Sequence, residues 1–172
     1  MSEEGRDERL LKAKSDALRL LSFSARSVEE LRKRLVMKKY STDIIDDVVD
    51  SFKRQGLLND EKFAELFAHS RVYSRPSGKK KLAFELQKKG ISKEVAAGAL
   101  ARLGDYDEKK AAKELVFTRF QKMTGISNEK KKTRIYGFLS RRGFSNDAIF
   151  SALKELFREG DSLYPQDENE DR

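Results

Sequence analysis

Apolar residues recur along this chain at intervals of three and four, and the same arrangement returns three times. Ile44, Ile45, Val48, Val49 and Phe52 fall on one face of a helix at i, i+1, i+4, i+5 and i+8. Val95, Ala96, Ala99, Leu100 and Leu103 keep that spacing, and so do Ala148, Ile149, Ala152, Leu153 and Leu156. An amphipathic helix precedes each stripe, carried by Leu31 and Leu35, by Leu82 and Leu86, and by Ile135, Phe138 and Leu139. A further helix opens each set. Leu11, Ala17, Leu18 and Leu21 mark the first, Phe63, Leu66 and Phe67 the second, and Ala112, Leu115, Val116, Phe117 and Phe120 the third. No stretch alternates long enough to predict a strand.

The sets align without gaps when anchored on Leu35, Leu86 and Leu139, which are 51 and 53 residues apart. Three residues after each anchor stands a base (Lys38, Lys89, Arg142), and five after it a bulky apolar group (Tyr40, Ile91, Phe144). Six after it is serine each time (Ser41, Ser92, Ser145), and eight after it an acid (Asp43, Glu94, Asp147). Each column has a physical meaning. The serine is a helix N-cap, and the acid two residues on faces the positive end of the helix dipole. The base suits the negative end of the helix before. Gly90 and Gly143 then take the left-handed position that ends that helix, where the first set has Lys39 and should be more strained. Further helix starts are expected at Asn59–Asp60, and capping boxes at Ser27 with Glu30 and at Asp105 with Glu108.

The fold expected is therefore all-α, three tandem three-helix repeats. A unit of about 50 residues buries too little core to stand alone, so neighbours must stack. Nine helices would form an elongated, curved, right-to-left stack. The repeats span 10–58, 59–104 and 105–158, with 1–9 a flexible N-terminus and 159–172 a disordered acidic tail.

Composition narrows the chemistry. The 172 residues contain no Cys and one His, so thiolate metal sites, disulfides, Cys nucleophiles and multi-His metal centres are excluded. No apolar run approaches the ~18 residues needed to cross a bilayer, and the stretch Ser2–Arg9 has no apolar segment of a secretory signal. A cytoplasmic protein is expected, without membrane association. Lys and Arg number 37 against 29 Asp and Glu, a formal charge of +8. Residues 159–172 carry −5 of it, so the body to residue 158 carries +13. A basic body points to a polyanionic partner, nucleic acid first, with a solvated surface of helix-favouring cations as the bland alternative.

The bases themselves repeat. Lys81 and Lys88 lie two turns apart on one helix, and the offset of 53 lands on Arg134 and Arg141. Repeat 1 has Glu30 and Met37 there, its bases being Arg32, Lys33, Arg34, Lys38 and Lys39. The loop Arg75-Pro76-Ser77-Gly78-Lys79-Lys80-Lys81 has a Gly opening a helix followed by three Lys, an anion-favouring end. It lacks the spacing of a P-loop, so nucleotide hydrolysis is not implied.

Other constellations carry less. Asp43, Asp47 and Asp50 at i, i+4 and i+7 could serve a Mg²⁺ nuclease, but a solvated acidic face is the commoner origin of such spacing. His69, in the turn after Phe67, is a surface residue more often than a base. Tyr40, Tyr73, Tyr106 and Tyr136 could stack on bases, though packing at helix edges is the commoner role. Nothing assembles a nucleophile, base and oxyanion hole, so neither an enzyme nor a cofactor is expected.

Three stretches together resemble the RecX family of recombination regulators. The first is Ala17-Leu18-Arg19-Leu20-Leu21 running on to Arg26-Ser27 and Glu30-Leu31-Arg32-Lys33-Arg34-Leu35. The second is Gly56-Leu57-Leu58-Asn59-Asp60, through Phe63, Ser70-Arg71 and Gly78, to Glu85-Leu86 and Lys89-Gly90-Ile91-Ser92. The third runs from Lys132 through Ile135, Phe138-Leu139 and Arg142-Gly143-Phe144 to Ile149. The resemblance covers about residues 10–157 and implies tandem three-helix repeats in a curved body. It also implies binding to the RecA recombinase and its filament on single-stranded DNA. ATP hydrolysis, strand exchange and co-protease activity toward the LexA repressor would be damped there. The expected contact residues are Arg26, Arg32 and Lys33 in repeat 1, Arg71, Lys79, Lys80, Lys81 and Lys88 in repeat 2, and Arg134 and Arg141 in repeat 3. Partners expected are the RecA filament and single-stranded DNA, with double-stranded DNA a second candidate, met by a monomer. The alternative is a stand-alone helical DNA-binding protein.

Overall fold

The computed structural model describes residues 3–157; the expected acidic tail at 159–172 lies outside them, as do Met1 and Ser2. Among the described residues there are nine helices and no strand. They are α1 (Glu3–Phe23), α2 (Val28–Met37), α3 (Thr42–Arg54), α4 (Asp60–Ser74), α5 (Lys79–Lys88), α6 (Lys93–Ala101), α7 (Glu108–Phe120), α8 (Asn128–Arg141) and α9 (Asn146–Leu156). Three trios in chain order, α1–α3, α4–α6 and α7–α9, match the periodicity of the sequence. Helix α1 reaches back to Glu3, ahead of Leu10 where the first repeat is expected to begin. Arg6 ties that early turn down, its Nη2 donating to Asp47 at 2.6 Å and its Nε to Asp43 at 3.4 Å.

The helices pack into two compact units whose limits differ from those of the trios. One holds the residues up to Phe67 with Glu85–Arg102, the other Ala68–Phe84 with Leu103 onward. The boundary runs through the middle trio. Helix α4 gives Phe63 and Ala64 to the first unit and Ala68 and Val72 to the second.

In the first unit, Ile44, Ile45, Val48, Val49 and Phe52 of α3 are all buried against Leu31 and Leu35 of α2 and Ala13 and Ala17 of α1. A second cluster joins Phe63, Ala64, Leu86, Ile91, Ala96 and Ala99. In the second unit, Ala148, Ile149, Ala152 and Leu153 of α9 pack on Ala112 and Val116 of α7 and Ile135 and Leu139 of α8. Each fully buried Leu or Ile contributes about 1.5–3 kcal/mol of transfer free energy. The opening helices differ from expectation in which residues they bury. Leu11, Leu18, Leu66 and Phe117 face outward, Leu11 with 67% of its surface exposed, while the alanines beside them are buried. An alanine stripe lets helix axes approach closely, and the larger residues then have no room on that face.

The polar columns behave as helix punctuation. Ser27, Ser92 and Ser145 accept from the backbone N–H three residues on, and Glu30 completes the box at α2 by accepting from the Ser27 N–H. Ser41 takes the N-cap conformation at α3 without a side-chain bond to the helix. Its hydroxyl serves the Asp43 carboxylate and, first among several causes, holds that carboxyl below the usual range. Lys39 sits at φ +63° where Gly90 and Gly143 have +84° and +74°, as expected of the first repeat. The capping box at Asp105 does not form. Asp107 caps α7 instead, its Oδ1 accepting from Lys109 and Lys110 N–H at 2.8 and 3.1 Å, and this frees Glu108 for another task.

That task is to join successive trios, and the two junctions are built alike. In the first unit the Ser27 hydroxyl donates to the Lys89 carbonyl, and the Val28 N–H donates to Asp60 Oδ1 at 2.9 Å. In the second unit the Gly78 N–H donates to the Arg142 carbonyl, and the Lys79 N–H to Glu108 Oε1, both at 2.9 Å. The partners correspond through the repeat offset: 27 with 78, 28 with 79, 89 with 142. Glycine is needed because the backbones nearly touch. A Cβ on Gly90 would lie 2.2 Å from Glu29 Cβ, and one on Gly143 2.4 Å from the Lys81 nitrogen.

Candidate nucleic-acid interface

Charge divides unevenly between the two units. The first carries 18 Lys and Arg against 16 Asp and Glu, a net of +2. The described part of the second carries 17 against seven, a net of +10. The basic excess expected over the whole body thus belongs almost entirely to one unit.

The junction in that unit fixes the loop that the sequence marks as anion-favouring. Tyr106 donates its hydroxyl to the Ser77 carbonyl at 2.8 Å; burial first, then the nearby Glu108 charge, pushes its pKa up to about 12. The Ser77 hydroxyl donates to the Arg75 carbonyl at 3.0 Å. Glu108 holds the Lys79 N–H through Oε1 and accepts the Ser145 hydroxyl through Oε2 at 2.7 Å. The positive end of α5 is thereby occupied by a carboxylate of this chain, and the Gly78 N–H by a carbonyl. Gly78 is there for close approach, since a Cβ would lie 2.0 Å from the Gly143 oxygen. What the loop offers to solvent is the side chains of Arg75, Lys79 and Lys80, all exposed.

The recurring basic pair is only partly equivalent. Lys88, Arg134 and Arg141 are exposed, whereas Lys81 is half-buried because its backbone and Cβ abut Gly143. Arg71 is half-buried in the last turn of α4. In repeat 1 the expected contacts have structural partners. Arg26 Nε donates to the Leu20 carbonyl at 3.2 Å and closes α1. Arg32 pairs with Asp46 at 2.6 Å, and Lys33 with Glu29 at 3.2 Å across one turn of α2. The acids of α3 hold this chain's own cations, Arg6 bridging Asp43 and Asp47. No group of three or more His, Asp or Glu among the described residues is placed to hold a metal ion. His69 lies exposed within α4, which runs on past the turn expected after Phe67. Tyr40 donates to Asp16 at 2.9 Å and Tyr136 packs on Phe150, while Tyr73 is exposed. No described helix is long and apolar enough to cross a membrane.

A further cluster lies in the second unit. Arg119 near the end of α7 and Arg142 at the end of α8 both lie over the Phe138 ring, at 4.5 and 5.0 Å from its centre. Arg142 also donates to the Pro76 carbonyl at 3.0 Å. Burial, then the charges of Arg75 and Arg119, hold its pKa below the ordinary arginine value. Nothing in the spacing of 75, 119 and 142 announces this meeting.

Comparison with known proteins places the three trios. Residues 13–52 match the RecX first three-helix domain, 59–100 the second and 106–153 the third. The regulatory protein RecX of Amycolatopsis mediterranei (strain U-32) is 34% identical over 153 residues, 89% of this chain and 87% of that one. That of Mycolicibacterium smegmatis (strain ATCC 700084 / mc(2)155) is 37% identical over 145 residues, 82% of this chain and 77% of its own length. The crystal structure of RecX from Lactobacillus salivarius superposes with a TM-score of 0.79 at 25% identity, covering 87% of this chain and 97% of that one. A second crystal structure, of a regulatory protein RecX, shares the fold with a TM-score of 0.81 at 19% identity, over 90% of this chain and 80% of its own. Repeat columns, trio count and sequence similarity agree, and the chain belongs to the RecX family of regulatory proteins.

Proposed function

We propose that this protein binds the RecA recombinase and its filament on single-stranded DNA and damps ATP hydrolysis, strand exchange and co-protease activity. It acts as a non-enzymatic cytoplasmic monomer without a cofactor. The observation that carries the reading is the concentration of +10 in one compact unit, the kind of field that draws a protein to a polyanion and holds it there in a salt-dependent way. Lys88, Arg134 and Arg141 stand exposed on helices α5 and α8 of the second and third trios, and Lys79 and Lys80 stand at the start of α5. They are positioning contacts for phosphate or for an acidic filament surface.

The test is a titration of the protein into single-stranded-DNA-dependent RecA ATPase, on preformed filaments and during assembly. Inhibition is expected in at least one order of addition, relieved by Lys81→Glu with Arg134→Glu. Unchanged inhibition by that double variant at moderate salt would reject these helices as the contact surface. DNA affinity with no effect on RecA in either order would favour a stand-alone DNA-binding protein.

A further inference from the structure

The two junctions provide an internal comparison. At the first, the base at position 89 is neutralised: Lys89 Nζ lies 2.6 Å from Glu30 Oε1 and over the Phe63 and Phe67 rings. At the second, the equivalent base is Arg142, and the position equivalent to Glu30 is Lys81. The acid that balances the first junction is replaced by a second cation. No ion pair to Arg75, Arg119 or Arg142 occurs among the described residues, although cations elsewhere in them are paired, Arg32 with Asp46 and Lys113 with Glu155 among them.

Each arginine follows or ends a helix. Arg75 comes directly after α4, Arg119 stands in the last turn of α7, and Arg142 is the C-cap of α8. Helix dipoles favour a cation at each such end, which accounts for the residues singly. It does not account for Arg119 and Arg142 meeting on one ring, with Arg75 next in sequence to the Pro76 carbonyl that Arg142 holds; like charges gathered this way repel, and a bound anion would offset that repulsion. Arg119 and Arg142 both hold their guanidiniums within 5.0 Å of the Phe138 ring centre, and a guanidinium has five N–H donors, of which Arg142 gives one nitrogen to the Pro76 carbonyl. Beside them opens a cleft of about 430 Å³ lined by Pro76, Leu115, Thr118, Arg119, Lys122 and Phe138. Glu114 also lines it and pairs with none of the three arginines.

We propose that Arg119 and Arg142 over Phe138, with Arg75 beside them, form a binding site for the phosphodiester backbone of single-stranded nucleic acid. This deepens the function proposed above and rests on its claim that nucleic acid is met by the basic unit. Arg142 is anchored by the Pro76 carbonyl and presents a fixed guanidinium; Arg75 and Arg119, whose side chains are exposed, close on the phosphate from α4 and α7. Nucleic acid is favoured over an acidic protein surface because guanidinium forks match phosphate oxygens and a polymer supplies them in series.

The experiment is fluorescence anisotropy of a labelled oligo(dT) with the full chain, without recombinase, across salt from about 50 to 200 mM. Arg75→Gln and Arg119→Gln are the variants, alone and together, since neither side chain makes a structural hydrogen bond. Lys53→Gln, an exposed cation on α3 of the other unit, controls for net charge. Each arginine lost is expected to weaken binding about tenfold at low salt and to flatten the log–log salt slope by about 0.7, the value for one single-strand phosphate contact. Arg119→Lys keeps the slope, because the charge remains. Inorganic phosphate should raise the melting temperature of the wild-type chain and not that of the double variant. Slopes and affinities of the double variant equal to those of Lys53→Gln overturn the proposal. So does a wild-type chain that inhibits RecA yet binds no oligo(dT), which would make an acidic protein surface the occupant. A chain that binds oligo(dT) through these arginines and leaves RecA untouched sustains this site and removes the function proposed above.

Discussion

Replacing Gly143 by alanine tests the junction most directly, because two separate costs fall on one methyl group. The residue holds φ +74°, a left-handed conformation that disfavours alanine by about 1–2 kcal/mol. Its Cβ would also lie 2.4 Å from the Lys81 nitrogen and 2.5 Å from the Lys81 Cβ, neither of which can retreat without moving α5. Overpacking of that kind costs about 1–3 kcal/mol, so Gly143→Ala should lose about 2–5 kcal/mol in all. Two other glycines separate the terms. Gly56 has φ +70° with nothing within 4 Å of its Cβ position, so its alanine variant should lose only the conformational part, about 1–2 kcal/mol. Gly98 sits inside α6 with open space around it, and Gly98→Ala should gain about 0.5–1 kcal/mol. In a chain of this length 1 kcal/mol moves the melting temperature by about 2–4 °C. Circular dichroism melts should therefore rise by a few degrees for Gly98→Ala, fall modestly for Gly56→Ala and fall by about 10 °C for Gly143→Ala. A Gly143→Ala loss no greater than that of Gly56→Ala would refute the close approach of α5 and the α8–α9 turn.

Glu108→Ala removes the acceptor for the Lys79 N–H and the Ser145 hydroxyl and should cost about 1–2 kcal/mol in urea unfolding; a loss below about 0.5 kcal/mol would deny it a junction role. Lys39→Gly relieves the left-handed strain at φ +63° and should stabilise the chain by about 1 kcal/mol, because the bond from Arg9 goes to the residue 39 carbonyl and survives the change. The Asp16 carboxyl is held below the usual carboxylate range, first by the Tyr40 hydroxyl and next by Lys38. Its contribution is present above the unfolded value near pH ~4 and is lost as pH falls through the lower folded value. Wild-type protein should thus be more stable than Asp16→Asn at neutral pH, with the gap in urea midpoint closing in acid. A gap that stays constant from neutral pH into strong acid would show that Asp16 does not titrate in this way.

The trios were legible because their signals are local. A serine with an acid two residues on, a glycine after a base, and apolar residues at helical spacing each act within a few positions, and Ser92, Gly90 and Ile149 do what their columns imply. The junctions were not legible for the opposite reason. Asp60 and Glu108 look like ordinary first-turn acids, and only the packed chain shows that their carboxylates serve another helix. The same holds for Arg26, whose bond to the Leu20 carbonyl needs the α1–α2 turn to be known. The pair at Lys81 and Lys88 is visible in the spacing, but spacing shows neither Lys81 pressed against Gly143 nor Lys88 falling in the other unit. One signal for the arginine cluster was available: the column that reads Glu30, Lys81 and Arg134 replaces an acid by two bases. Its meaning emerges only once Lys89 and Arg142 are seen in equivalent places.

The start of α8 departs from the pattern of the other two middle helices. Aligned on the anchors, α2 and α5 begin at the same register, but α8 begins four residues earlier, at Asn128. The counterpart of Ser27 and Gly78 is therefore Lys131, in mid-helix, its amide already bonded to the Ser127 carbonyl at 3.0 Å. A partner helix arriving there would meet a charged extra turn instead of first-turn amides like those of Val28 and Lys79, which receive Asp60 and Glu108.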